Sequence, residues 1–194
     1  MGHAGARAVI PFVREGDDLV ATFEAFEAAL LASLVGQVAD LLGGSGPVTH
    51  EQDPFAQWAA EFRAGVDLDR SDPVIARLFP DAYEDATAAG EHHRFSQEAL
   101  RRGRIEDAEV VSAALVPIGE VGGAVVVGPE AVEAWLRVLN GVRLALAVRL
   151  GVETASDYDQ LSALPARDPR AQLVDLYDWL GFVQESLLEA LADE

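Results

Sequence analysis

Residues 129–150 read PEAVEAWLRVLNGVRLALAVRL, and residues 169–191 read PRAQLVDLYDWLGFVQESLLEAL. Apolar side chains return at helical spacing in both stretches. In the first they cover nearly every side: Val132, Trp135, Leu136, Val138, Leu139, Val142, Leu146 and Val148. A helix apolar all round belongs in the centre of a fold. In the second the stripe is narrower: Leu173, Leu176, Tyr177, Leu180, Val183, Leu187 and Leu191. Gly128-Pro129-Glu130 and Asp168-Pro169 supply helix starts, and Gly151 supplies a stop. The reading is a buried helical hairpin, with Trp135, Leu139, Leu146, Trp179 and Leu180 in the core.

Working outward, residues 8–23 predict a β-hairpin. Ala8–Val13 and Asp18–Phe23 favour strands, and Glu15-Gly16-Asp17 supplies the turn. Pro11 marks the first as an edge strand. Thr22 is expected to cap a helix starting near Phe23 and stopped by Gly43-Gly44. Asp53-Pro54 opens a short helix, and Asp72-Pro73 opens another, Val74 to Phe79. Residues 82–91 are expected to be a mobile linker and residues 1–7 flexible. Ser96 is expected to cap a further helix, broken at Gly103. Val125–Val127 forms a short strand behind Gly122-Gly123. The fold class is α+β and mainly helical: one domain over residues 1–194, with about three antiparallel strands against a helical bundle.

Composition narrows the functions. A chain of 194 residues can bury about 70% of the surface its unfolded form exposes. No apolar run reaches the ~20 residues of a membrane span. The start lacks the blocks of a secretory signal, so a cytoplasmic location is expected. There is no cysteine, and all 14 basic residues are arginine. Thiol nucleophiles, disulfides, P-loop lysines and Schiff-base lysines are therefore excluded. The net charge of −19 argues against direct nucleic-acid binding, which draws its affinity from phosphate neutralisation. It suits basic protein partners, or simply solubility.

No catalytic, cofactor or metal site is expected. Asp67, Asp69, Ser71 and Asp72 lack the glycine and glutamate of a calcium loop. Adjacent His92 and His93 point apart on a helix. Gly43-Gly44-Ser45-Gly46-Pro47 misses the nucleophile elbow. Two groups of residues remain. Arg94, Arg101, Arg102 and Arg104 form a basic cluster: either a solvated, ion-paired face or a docking patch for an acidic partner. Arg143 and Arg149 stand in an otherwise apolar helix and call for carboxylate partners. Asp175 and Asp178 are the candidates, as a structural buried ion pair or an anion contact.

Asn140-Gly141-Val142-Arg143-Leu144-Ala145-Leu146, followed by Arg149-Leu150-Gly151, resembles a signature stretch of an actinobacterial domain-of-unknown-function family. Leu176-Tyr177-Asp178-Trp179-Leu180 with Gln184-Glu185 resembles its C-terminal signature. The hairpin leading into Glu27–Leu31 and the Asp72-Pro73 to Phe79-Pro80 segment extend the likeness over nearly the whole chain. The resemblance implies genes beside that of the ClpS adaptor. It also implies kinship with AosR-like oxidative-stress regulators, which act with a sigma factor and sense through a cysteine pair. Without cysteine, that switch does not carry over to this chain. The expectation is a non-enzymatic regulatory protein, a homodimer, with a protein partner. That partner is a sigma factor or, alternatively, a Clp component; an enzyme with an unrecognised site is the further alternative.

Overall fold

The computed structural model describes residues 10–43, 73–78 and 90–193, with side chains from residue 99 onward in the last stretch. The Asp53-Pro54 helix, the Asp67–Asp72 loop and most of the 82–91 linker lie outside the described residues.

The chain begins with strands β1 (Ile10–Glu15) and β2 (Asp18–Phe23), joined through Gly16 at φ +69°. A third strand, β3 (Gly123–Val127), pairs with β2, giving an antiparallel sheet in the order β1-β2-β3. β1 is an edge strand, as Pro11 requires, and its pairing slips by one residue between Ile10 and Val13. A bulge there accommodates a residue with no N–H to donate.

Six helices complete the described fold: α1 (Ala25–Leu41), α2 (Pro73–Leu78), α3 (Gly90–Leu115), α4 (Val132–Leu150), α5 (Ala155–Ser162) and α6 (Pro169–Ala192). A short 3₁₀ turn, Val116–Ile118, leads from α3 towards β3. Several boundaries differ from expectation. Thr22 stays in β2, paired with Ile10 and Ala124. α1 starts after Glu24, whose backbone N–H donates to the Glu27 carboxylate at 2.8 Å. α3 runs unbroken from Gly90 through Ser96 and Gly103, so Gly90 and Glu91 belong to it rather than to a linker. A single glycine costs a helix only ~1 kcal/mol, which 26 residues absorb. α4 begins three residues after Pro129, with Ala131 as its N-cap.

α4 is the centre. It packs against α1, α2, α3 and α6, and Trp135, Leu139 and Leu146 on it are almost fully buried. Phe12 joins this helix to the sheet: its ring lies edge-on to Trp135 at 5.8 Å and to Phe23 at 6.2 Å. Such pairs add about 0.5–1.5 kcal/mol each beyond burial. α6 packs against β1, where the Ser186 hydroxyl accepts from the Phe12 N–H at 3.4 Å and donates to the Val183 carbonyl. Gly151, at φ +73°, ends α4 as expected. Among the described residues no helix is long and apolar enough to cross a membrane.

Candidate functional site

The seam between α4 and α6 gathers polar groups into an apolar core. On α6, Tyr177, Gly181 and Gln184 follow one another at i, i+4 and i+7 and therefore share one stripe. Arg143 of α4 lies across that stripe. Its Nη1 donates to Gln184 Oε1 at 2.8 Å, and its guanidinium carbon stands 4.9 Å from the centre of the Tyr177 ring. Gly181 leaves the room: a Cβ there would rest 3.5 Å from Arg143 Nη2. The Nε of Arg143 is buried without a hydrogen-bond partner among the described residues, as is Trp179 Nε1.

The expected aspartate partners are not in this seam. Arg143 is half-buried, while Arg149, Asp175 and Asp178 are exposed. Asp178 accepts from the Tyr158 hydroxyl of α5 at 2.8 Å, and that bond holds the phenol above its ordinary pKa. The Tyr158 and Tyr177 rings are 6.1 Å apart. Arg143 is thus linked through aromatic faces to α5, and its charge is met by an amide and a π-face rather than by a carboxylate. Arg149 stands in the last turn of α4, where a cation suits the helix dipole.

The basic cluster on α3 divides. Arg94 lies in the part of α3 described by its backbone alone, and Arg102 is exposed. Arg101 and Arg104 turn inward. Arg101 Nε donates to the carbonyl of Leu42, the residue that caps the C-terminus of α1. Arg104 Nη2 donates to the carbonyl of Leu78, the last residue of α2, at 3.2 Å. Helix C-termini leave carbonyls unpaired and carry partial negative charge. α1 has no basic residue of its own in its last turn, so α3 supplies one. Arg14 of β1 does the same for α6, donating to the Leu191 carbonyl at 2.9 Å. Two of the four arginines expected to form either a solvated, ion-paired face or a docking patch are therefore engaged with helix ends.

Beside them, a crevice of about 310 Å³, counting its open mouth, runs between α1, α3 and α4. Val35, Val38, Leu42, Ala108, Val138 and Val142 line it, with Arg104, Asp107 and Arg137 at its polar side. Arg137 grips Asp107 with two bonds of 2.7 and 2.9 Å and also reaches Glu133 at 2.9 Å. The bond to Asp107 first, then that to Glu133, raises the Arg137 guanidinium above its ordinary pKa. Burial lowers that of Arg104, against the opposing pull of Asp107. Asp107, the one carboxylate lining this crevice among the described residues, is held bidentate by Arg137, a fork-to-fork geometry that fixes helices.

The fold defines a mainly helical α+β domain whose half-buried and exposed polar groups close helix ends and helix seams. The family model described as "Domain of unknown function (DUF2017)" matches residues 9–191, and the chain belongs to that family. Two proteins named "Oxidative stress regulator AosR", from Mycobacterium bovis and Mycobacterium tuberculosis, are each 28% identical to it over 189 residues. The alignment covers 92% of this chain and 84% of theirs. No solved structure gives a significant match.

Proposed function

We propose that the protein is a non-enzymatic regulator of the oxidative-stress response that works through protein contacts. The observation that carries this reading is the likeness to proteins named oxidative stress regulators over 92% of the chain. The site geometry supports it: the arginines and carboxylates described above hold helices together, and none is poised as a nucleophile or a free general base. With no cysteine in the chain, a redox signal reaches this protein through a partner rather than through a thiol of its own. The partner class favoured is a component of the transcription machinery, a sigma factor above all. The net charge of −19 complements a basic DNA-binding surface.

The test is affinity purification of the tagged full chain from its native host, with and without peroxide, followed by mass spectrometry. The expected result is a transcription component that enriches with peroxide. Recovery of a Clp component alone would move the protein to proteolysis, and recovery of neither would overturn the reading.

A further inference from the structure

The outer face of the sheet departs most from a solvated surface. An antiparallel sheet packed on helices ordinarily turns polar residues outward. Here the outward positions form two cross-strand rows, Val13–Val20–Val126 and Ile10–Thr22–Ala124. Neither row contains a charge. Ile10, Val13 and Val126 are 59%, 46% and 58% exposed. Val20 and Thr22 between them are half-buried, and apolar side chains gathered on one uncharged face mark an interaction surface.

At the hairpin end the same face changes character. Glu15 stands directly opposite Asp18, and Asp17 lies in the turn between them. Like charges opposite one another weaken a ladder. None of the three carboxylates has an ion-pair partner among the described residues. The nearest cation in sequence, Arg14, is turned away to the Leu191 carbonyl. A local cost retained without internal compensation points to function.

We propose that this face docks an amphipathic helix of a protein partner, with its apolar stripe along the two rows and its Arg or Lys side chains against Glu15, Asp17 and Asp18. Charge chooses the occupant. A second copy of the chain brings the same three carboxylates, no lysine and the same net charge of −19; a basic segment brings the opposite sign. A helix is the natural cover because a sheet face is closed by an apolar stripe laid across it. The inference rests on the regulator reading only in taking the partner to be a protein.

Fluorescence anisotropy tests it with the full chain and two labelled peptides of one composition. The first is a helix with leucine on one face and arginine along its flanks; the second is scrambled so that the stripe is lost. The amphipathic peptide is expected to bind at least about tenfold more tightly, a difference of ~1.4 kcal/mol. Val13→Asp and Val126→Asp are expected to remove that advantage, with Val126→Ser as the milder variant if the aspartates unfold the sheet. Glu15→Gln with Asp18→Asn is expected to weaken binding severalfold and to flatten its salt dependence. Glu109→Gln on α3 is expected to change nothing. Equal binding of the two peptides would reduce the effect to bulk charge and overturn the proposal. So would face variants that bind like the wild type, or a wild-type dimer that Val126→Asp dissociates. Failure of the regulator reading shows elsewhere, as unaltered stress transcription in a deletion strain with these affinities intact.

Discussion

Arg143 of α4 donates to Gln184 of α6 at 2.8 Å, and among the described residues no carboxylate forms an ion pair with it. The guanidinium lies on the Tyr177 ring instead. The two central helices are therefore tied by a cation that depends on an amide and a ring face, both weaker partners than an ion pair. Arg143→Ala is expected to destabilise the fold by about 2–3 kcal/mol, from the lost charged hydrogen bond and cation–π contact. Gln184→Ala is expected to cost about 1–2 kcal/mol. Denaturant unfolding of both single variants and the double variant measures the coupling. Additive losses would show that the pair does not interact.

Two glycines predict opposite outcomes. Gly181 sits mid-helix with ordinary van der Waals room for a methyl group beside Arg143. Gly181→Ala is therefore expected to be neutral or stabilising by up to about 1 kcal/mol, through helix propensity. Gly122 has φ +73°, and a Cβ there would stand 2.9 Å from both Phe23 O and Ala25 N. Gly122→Ala is expected to lower stability by more than about 1 kcal/mol, through strain and clash together. Thermal melts of the two variants separate these outcomes.

Arg101 and Arg104 are expected to behave as structural caps. Replacing either by Gln removes a cation from the end of another helix, at an expected cost of about 1 kcal/mol each. Arg102→Gln is expected to cost nothing measurable. If all three substitutions were silent in chemical denaturation, the capping role would be wrong.

Acid is expected to weaken the start of α5 and of α6. Bonds from Thr154, side chain first, lower the Asp157 pKa, and bonds from Arg170 lower that of Asp168. A folded pKa below the unfolded value of about 3.9 gives stability that is present above that pH. It is lost as pH falls through the folded value. Tyr158 runs the other way: its pKa is raised by the bond to Asp178. Its contribution is present below about pH 10 and is lost as pH rises through the folded value. Tyr158→Phe is expected to remove, from an ultraviolet titration, a phenol that titrates above about pH 10.

The C-terminal hairpin was legible because burial writes itself into apolar periodicity: α4 and α6 fall within a few residues of where the pattern puts them. α5 escaped that reading because it is short and mostly exposed, although Thr154 and Asp157 carry a capping-box spacing that marks its start. The seam was half legible. Spacing places Tyr177, Gly181 and Gln184 on one stripe, but the preference of arginine for carboxylates pointed to Asp175 and Asp178. The arginine caps were illegible, since a backbone carbonyl has no residue signature. Arg101 finds its acceptor 59 residues away, and Arg104 finds its own 26 residues away. The outer sheet face was hidden as well: strand patterning reveals alternation, and apolar residues on both faces remove it.

On the proposed reading, the protein regulates the oxidative-stress response without a thiol of its own. The most direct measurement is the peroxide-induced transcript profile of a strain lacking the gene, restored with the wild-type chain. The expected result is a set of stress transcripts whose induction changes on deletion and returns on restoration, although the restored protein has no cysteine. Identical profiles in the parent and deletion strains would contradict it.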